Sequence, residues 1–311
     1  MIWVPLIVIV VVGLLALVPR FFERRRHLVG PDQRNAATGK LVRLSQGTTH
    51  CRWHGTARGK VIVAVHGLTT PSIVWDTVLP GLVAMGYRVL TYDLYGRGLS
   101  DTPRGPQDRH YFLRQLHDLL SHEGIEDEVT LLGYSMGGSI VTAFAHEQPH
   151  RVSQLLLVAP SGIVTRESTF SKWCRRIPYV GDWVHAVFGA RRMKRQAGNF
   201  AQPDNVLSVV RAQTAQLKQR GYLRSVLSSR RHMLSETSEQ AHRAFAGLGI
   251  PVAVVWGDMD QVIPVTALGR LASWNKETRQ DVVKGADHGL PYTHGAEVTA
   301  AFRDLLKVPN P

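Results

Sequence analysis

GYSMGG, residues 133–138, sets a single serine between glycines two positions away on each side. The residues before it, VTLLGY (129–134), form a short apolar run that predicts a strand buried on both faces. The residues after it, MGGSIVTAFAHE (136–147), predict a helix that ends before Pro149. A serine at a sharp strand-to-helix turn takes strained backbone angles, and the turn closes only if its neighbours are small. Gly133 and Gly137 meet that need. Such a turn lifts the hydroxyl above the carboxyl edge of a sheet, where the next helix aims its first N–H groups at developing negative charge. Gly138, one residue beyond the minimal pattern, predicts a close approach between this helix and a neighbour. Taken alone, Ser135 reads better as an ordinary helix N-cap than as a nucleophile. The rest of the chain decides between the two.

Outward from this turn, strand and helix alternate. KVIVAVH (60–66), YRVLTYD (87–93) and QLLLVAP (154–160) are further buried-strand runs, with helical stretches near 73–85 and 107–122. Two short pieces around Gly47, LVRLS and THCRWHG, predict an antiparallel hairpin ahead of them. From about 162 to 246 the pattern is helical. Alternation resumes with PVAVVWG (251–257), a helix near 265–274, RQDVVKG (279–285) and a last helix near 296–307. This order predicts an α/β fold with a mostly parallel sheet and one helical insertion.

A serine hydroxyl needs a base to take its proton, and the base needs an acid to orient it. Both must sit at the carboxyl ends of later strands, because those ends share one edge of a parallel sheet. Asp258 and Asp260 follow the strand at 251–257, and His288 follows the strand at 279–285. The order Ser, Asp, His results. Two backbone N–H groups should face the developing oxyanion. Met136, next to the serine, offers one. The loop HGLTTPS (66–72) offers the other, at Leu68 or, less favourably placed, Thr69. His66 reads as structural, and Asp93, Arg97 and Asp101 read as shaping a loop under the site.

With HG (66–67), DLYGRGLSD (93–101), GYSMGG (133–138), GDMD (257–260) and DH (287–288) in that order, the chain resembles the α/β-hydrolase fold superfamily over about residues 40–307. The resemblance implies catalytic Ser135, Asp260 and His288, choosing Asp260 over Asp258 and His288 over His294. It implies an oxyanion hole from Leu68 and Met136. It implies that 41–161 and 247–311 form the core and 162–246 a helical lid. Among family members the chain is most similar to membrane-anchored, monoacylglycerol-lipase-like esterases. That similarity implies a carboxylic ester hydrolase with an apolar or lipid-like substrate. Hydrolysis of a carbon–carbon bond on the same triad, or a membrane-tethered binding protein without catalysis, are the alternatives. Members that use an aspartate nucleophile are set apart by the serine at 135.

The N-terminus is of another kind. Residues 2–18 are uncharged and apolar, and Arg20, Arg24, Arg25 and Arg26 follow at once. The length suffices to cross a bilayer core, and basic residues after the span place the main domain in the cytoplasm. Residues 1–27 are therefore expected to be an uncleaved anchor, with a cleaved signal or a buried helix as the alternative, and 28–40 a linker. The formal net charge is +13, and residues 162–246 hold 15 Lys and Arg against five Asp and Glu. Large apolar side chains interleave with these cations, which predicts contact with an anionic membrane surface. No nucleic-acid motif accompanies the charge, so a nucleic-acid partner is not expected. Cys51 and Cys174 have neither metal nor disulfide spacing, and the 14 histidines show no ligand clustering. No metal and no organic cofactor are expected.

Overall fold

The computed structural model describes residues 3–196 and 204–307. Its strands are β1 (Lys40–Arg43), β2 (Thr48–His54), β3 (Lys60–Val65), β4 (Tyr87–Tyr92), β5 (Val129–Tyr134), β6 (Val152–Val158), β7 (Val252–Gly257) and β8 (Arg279–Val283). They form one eight-stranded sheet in the order β1-β2-β4-β3-β5-β6-β7-β8. β1 and β2 pair antiparallel, as does β2 with β4; every other pair is parallel. All six residues of β5 and of β7 are buried. Only strands covered on both faces can be continuously apolar in this way.

The helices are α1 (Trp3–Arg24), α2 (Pro31–Asn35), α3 (Leu79–Ala84), α4 (Arg109–His122), α5 (Met136–Glu147), α6 (Thr169–Arg176), α7 (Val180–Gln196), α8 (Asp204–Gln216), α9 (Tyr222–Arg231), α10 (Glu239–Leu248), α11 (Ala267–Trp274), α12 (Leu290–Thr293) and α13 (Gly295–Lys307). α5 lies against β3, β5 and β6 with α4 and α10 beside it; α13 lies against β7, β8 and α3. The fold is an α/β-hydrolase fold, a mostly parallel sheet flanked by helices.

Three boundaries differ from the sequence reading. The stretch 73–85 is a 3₁₀ turn, Ser72–Trp75, followed by α3, because Pro80 suits a helix start and not a helix interior. Residues 28–40, read as a linker, are structured in part. They contain α2, and Arg34 binds Leu99 O at 3.2 Å and the Asp101 carboxylate. The lid range 162–246 includes most of α10, yet α10 packs on α5 and α11, with Ala241 and Phe245 in the main core. The insertion over the sheet edge is thus α6 to α9. Both α9 and α10 bury an apolar face, so helical spacing along the chain does not separate the insertion from α10.

α1 has no buried residue and is long and apolar enough to cross a membrane. At about 1.5 Å per residue its 22 residues extend about 33 Å.

Candidate active site

Ser135 joins β5 to α5 with φ +51° and ψ −116°. Such angles cost a non-glycine residue about 1–3 kcal/mol and persist only where surroundings hold them. Here Ser135 N–H donates to Val158 O at 3.0 Å. Its carbonyl accepts from Gly138 N–H at 2.9 Å, Ser161 N–H at 3.0 Å and the Ser161 hydroxyl at 3.1 Å. A Cβ on Gly137 would stand 2.0 Å from Val65 O, and one on Gly138 would stand 2.7 Å from Pro160 Cβ. The close neighbour of Gly138 is therefore Pro160, at the end of the adjacent strand.

His288 and Asp260 come from the loops after β8 and β7. His288 Nε2 lies 3.0 Å from Ser135 Oγ, and His288 Nδ1 lies 2.7 Å from Asp260 Oδ2. The Asp260 side chain is sealed from solvent. Its other oxygen, Oδ1, accepts from Val262 N–H at 2.7 Å and Ile263 N–H at 2.8 Å. A carboxylate held this way keeps the proton on Nδ1 and leaves Nε2 free to accept. Tyr134 donates its hydroxyl to His288 O at 2.6 Å, fixing the loop from below. The rival residues are elsewhere occupied. Asp258 accepts from Gly285 N–H at 2.7 Å, and His294 bonds the Thr293 hydroxyl at 2.8 Å.

The loop after β3 reaches the same point, for a Cβ on Gly67 would stand 3.3 Å from that of Ser135. His66 is fully buried, and burial lowers its pKa to about 4. Neutral, it accepts from Leu94 N–H at 2.8 Å and donates through Nδ1 to Gly67 O at 2.8 Å. In a trans peptide the N–H points opposite the carbonyl, so this bond also sets the direction of Leu68 N–H. Among the described residues, neither Leu68 N–H nor Met136 N–H donates to a protein acceptor. Met136 opens α5, and the first N–H groups of a helix have no intrahelical acceptor, so its N–H is available to a developing oxyanion.

The DLYGRGLSD loop lies beneath. Burial pushes the Asp93 carboxyl upward, but the His50 hydrogen bond and charge and the Ser72 N–H outweigh it, holding it at about 2. Arg97 is fully buried and, among the described residues, has no carboxylate partner; burial lowers its pKa to about 10. It donates instead to Leu68 O, Tyr95 O, Gln107 Oε1 and the Ser229 hydroxyl. Asp101 pairs with Arg34 and accepts from Thr48 N–H at 2.7 Å.

Ser135 and His288 open into a cavity of about 460 Å³. Met193, Val206, Leu207, Val210, Leu234 and Ile263 give it an apolar wall; Arg166 and Arg230 stand on its lining too. Sequence reasoning missed these two arginines, the Tyr134 clamp and the reach of Arg97. Their roles arise where separate loops meet, which leaves no local pattern.

The model of the alpha/beta hydrolase fold family matches residues 60–294. Lipase 1 of Psychrobacter immobilis is 25% identical over 268 residues, covering 82% of this chain and 80% of that protein. The non-heme chloroperoxidase CPO-A1 of Kitasatospora aureofaciens is 28% identical over 283 residues, covering 81% and 93%. A 2-hydroxy-6-oxononadienedioate/2-hydroxy-6-oxononatrienedioate hydrolase of Paraburkholderia xenovorans is 26% identical over 290 residues, covering 87% and 96%. Among solved structures, a thermophilic esterase from Thermogutta terrifontis superposes with a TM-score of 0.70 at 22% identity, covering 87% and 98%. The last likeness speaks for the fold alone. With the family model spanning most of its length, the chain belongs to the α/β-hydrolase fold family, and the relatives it resembles in sequence are named as a lipase, a chloroperoxidase and a dioate hydrolase.

Proposed function

We propose that the protein is a serine hydrolase of carboxylic esters that works through Ser135, His288 and Asp260. The observation that carries this reading is the hydrogen-bonded row Asp260–His288–Ser135 on the wall of a cavity. Ser135 Oγ attacks the ester carbonyl while its proton passes to His288 Nε2. The carbonyl oxygen becomes an oxyanion, held by Leu68 and Met136 N–H. Asp260 stabilises the imidazolium. The C–O bond then breaks, and His288 gives its proton to the departing alcohol. Water repeats the sequence on the acyl-enzyme and releases the acid.

The substrate is an ester with an apolar acyl chain, such as a monoacylglycerol. Two features support this: the apolar wall of the cavity, and α1, which we read as a membrane anchor with the catalytic domain on the cytoplasmic side. The insertion α6 to α9 acts as the lid. It carries Trp173, Tyr179, Val180 and Phe188 exposed beside Arg176, Arg191 and Arg192, the composition of a surface laid on anionic headgroups. Turnover of short esters, monoacylglycerols and lysophospholipids by detergent-solubilised protein tests the lipid reading. Long-chain glycerides should be preferred; faster turnover of acetyl esters would remove the lipid substrate and keep the esterase.

One observation favours a second reading. Arg166 and Arg230 on the cavity lining suit a substrate that carries a carboxylate. The dioate hydrolase among the relatives acts on such a compound by its name. Carbon–carbon bond hydrolysis would then use the same three residues. Arg166→Ala separates the two readings: it should leave glyceride turnover within about twofold, whereas a site built for a carboxylate would lose much more, because truncating one partner of a charged pair costs at least about 2 kcal/mol.

A further inference from the structure

The oxyanion loop is gripped by the insertion. Thr69 O accepts from Gln216 Nε2 and from the Tyr222 hydroxyl, each at 3.0 Å, and the Thr69 hydroxyl accepts from Gln213 at 2.8 Å. The Leu68 side chain packs on a small cluster formed by Leu217, Tyr222, Leu223 and Val226. Gln216 also accepts from Gly98 N–H at 2.7 Å, which ties it to the loop holding Arg97. Segment 213–222 thus fixes the backbone of 68–69 from outside the sheet.

The same segment is held on its other side by the end of α1 and the residues just after it, up to His27. His27 N–H donates to Lys218 O at 2.8 Å, and Arg220 N–H donates to His27 O at 2.7 Å. Gly221 N–H donates to the Glu23 carboxylate, which also pairs with Arg26. The Arg220 guanidinium binds Arg24 O at 3.1 Å and Arg26 O at 3.3 Å. Higher on α1, Pro19 has no N–H, so Leu15 O loses its helical donor. Trp183 Nε1 of α7 donates to that carbonyl at 2.7 Å. A helix without one buried residue is nevertheless keyed to the insertion at two levels.

We propose that the end of α1 belongs to the catalytic scaffold. Glu23 and His27 hold segment 216–222, and Gln216 and Tyr222 are positioning residues that keep the 68–69 loop turned toward the oxyanion. The proposal rests on the serine-hydrolase reading. Its physical basis is precision: catalytic groups must be held within about 0.5 Å, and a misplacement of about 1 Å costs about 100-fold in rate.

The test uses full-length protein in detergent micelles, with active sites titrated by a fluorophosphonate. The readouts are kcat and KM on a short soluble ester, and affinity for a trifluoromethyl ketone. Ser135 Oγ adds to that ketone's carbonyl to give a tetrahedral oxyanion, so its affinity reports the oxyanion hole. Tyr222→Phe and Gln216→Ala should each lower kcat about tenfold per titrated site with KM within about twofold, a partial loss beside the 10²–10³ of deleting a donor. Ketone affinity should fall in step. Glu23→Ala should lower both about threefold, while Glu23→Gln, which keeps an acceptor for Gly221 N–H, should restore them. Unchanged kcat and ketone affinity in Tyr222→Phe and Glu23→Ala would overturn this proposal alone. A fall in kcat with ketone affinity intact would overturn it as well. Titration that persists in Ser135→Ala would instead overturn the hydrolase reading and the proposal with it.

Discussion

At the scale of single residues, the site rests on which of two similar groups meets the histidine. Asp260 is sealed, bonded to His288 Nδ1 and held by two N–H groups; Asp258 accepts one surface N–H. Asp260→Asn should therefore lower kcat by about 10⁴ through the wrong imidazole tautomer. Asp258→Asn should change kcat by less than about threefold, since an amide oxygen still accepts from Gly285. Steady-state kinetics on one soluble ester checks both. Ser135, Asp260 and His288 were legible because each lies just past a recognisable strand and the sheet brings those ends together. Arg97 was legible only as a loop residue. Its reach to Leu68 and Ser229 depends on the insertion lying above it, and no spacing along the chain encodes that.

At the scale of elements, two contacts make firm expectations. α5 approaches β3 so closely that Gly137 has no room for a methyl group. Gly137→Ala should destabilise the protein by about 3 kcal/mol or prevent folding, read as a fall in the urea midpoint. α10 carries the second. His242 is fully buried against Phe245 and Trp274, neither ring nitrogen has a partner among the described residues, and burial lowers its pKa to about 4. The unfolded chain takes up its proton near pH 6.5 and the folded one near 4. Its share of stability is thus complete above pH 6.5 and is lost as pH falls toward 4. His242→Phe should remove about 2 kcal/mol of the acid-induced loss between pH 7 and 4.5, seen in denaturant midpoints at the two values. The strands and α5 were legible from continuous apolar runs. α10 was read as part of the insertion because its apolar spacing resembles its neighbours'. Packing on α5, invisible along the chain, assigns it to the core.

At the scale of the whole molecule, the apolar N-terminus and the basic residues after it were plain in the sequence, whereas their bonds to segment 218–221 were not. Those contacts join residues nearly two hundred positions apart, and each has a backbone group on at least one side, which leaves no paired side-chain pattern along the chain. If α1 spans the membrane with the domain inside, a C-terminal green fluorescent protein fusion should fluoresce and a C-terminal alkaline phosphatase fusion should stay inactive; the reverse pair would place the domain outside. Removing charge at the juxtamembrane arginines should weaken that orientation. The central claim, that Ser135 is a nucleophile activated by His288, is met most directly by labelling with a fluorophosphonate probe. The folded wild type should label at one site, Ser135→Ala should not label, and His288→Ala should label at least about 1,000 times more slowly. Labelling that survives Ser135→Ala, or a folded wild type that does not label, would contradict the account.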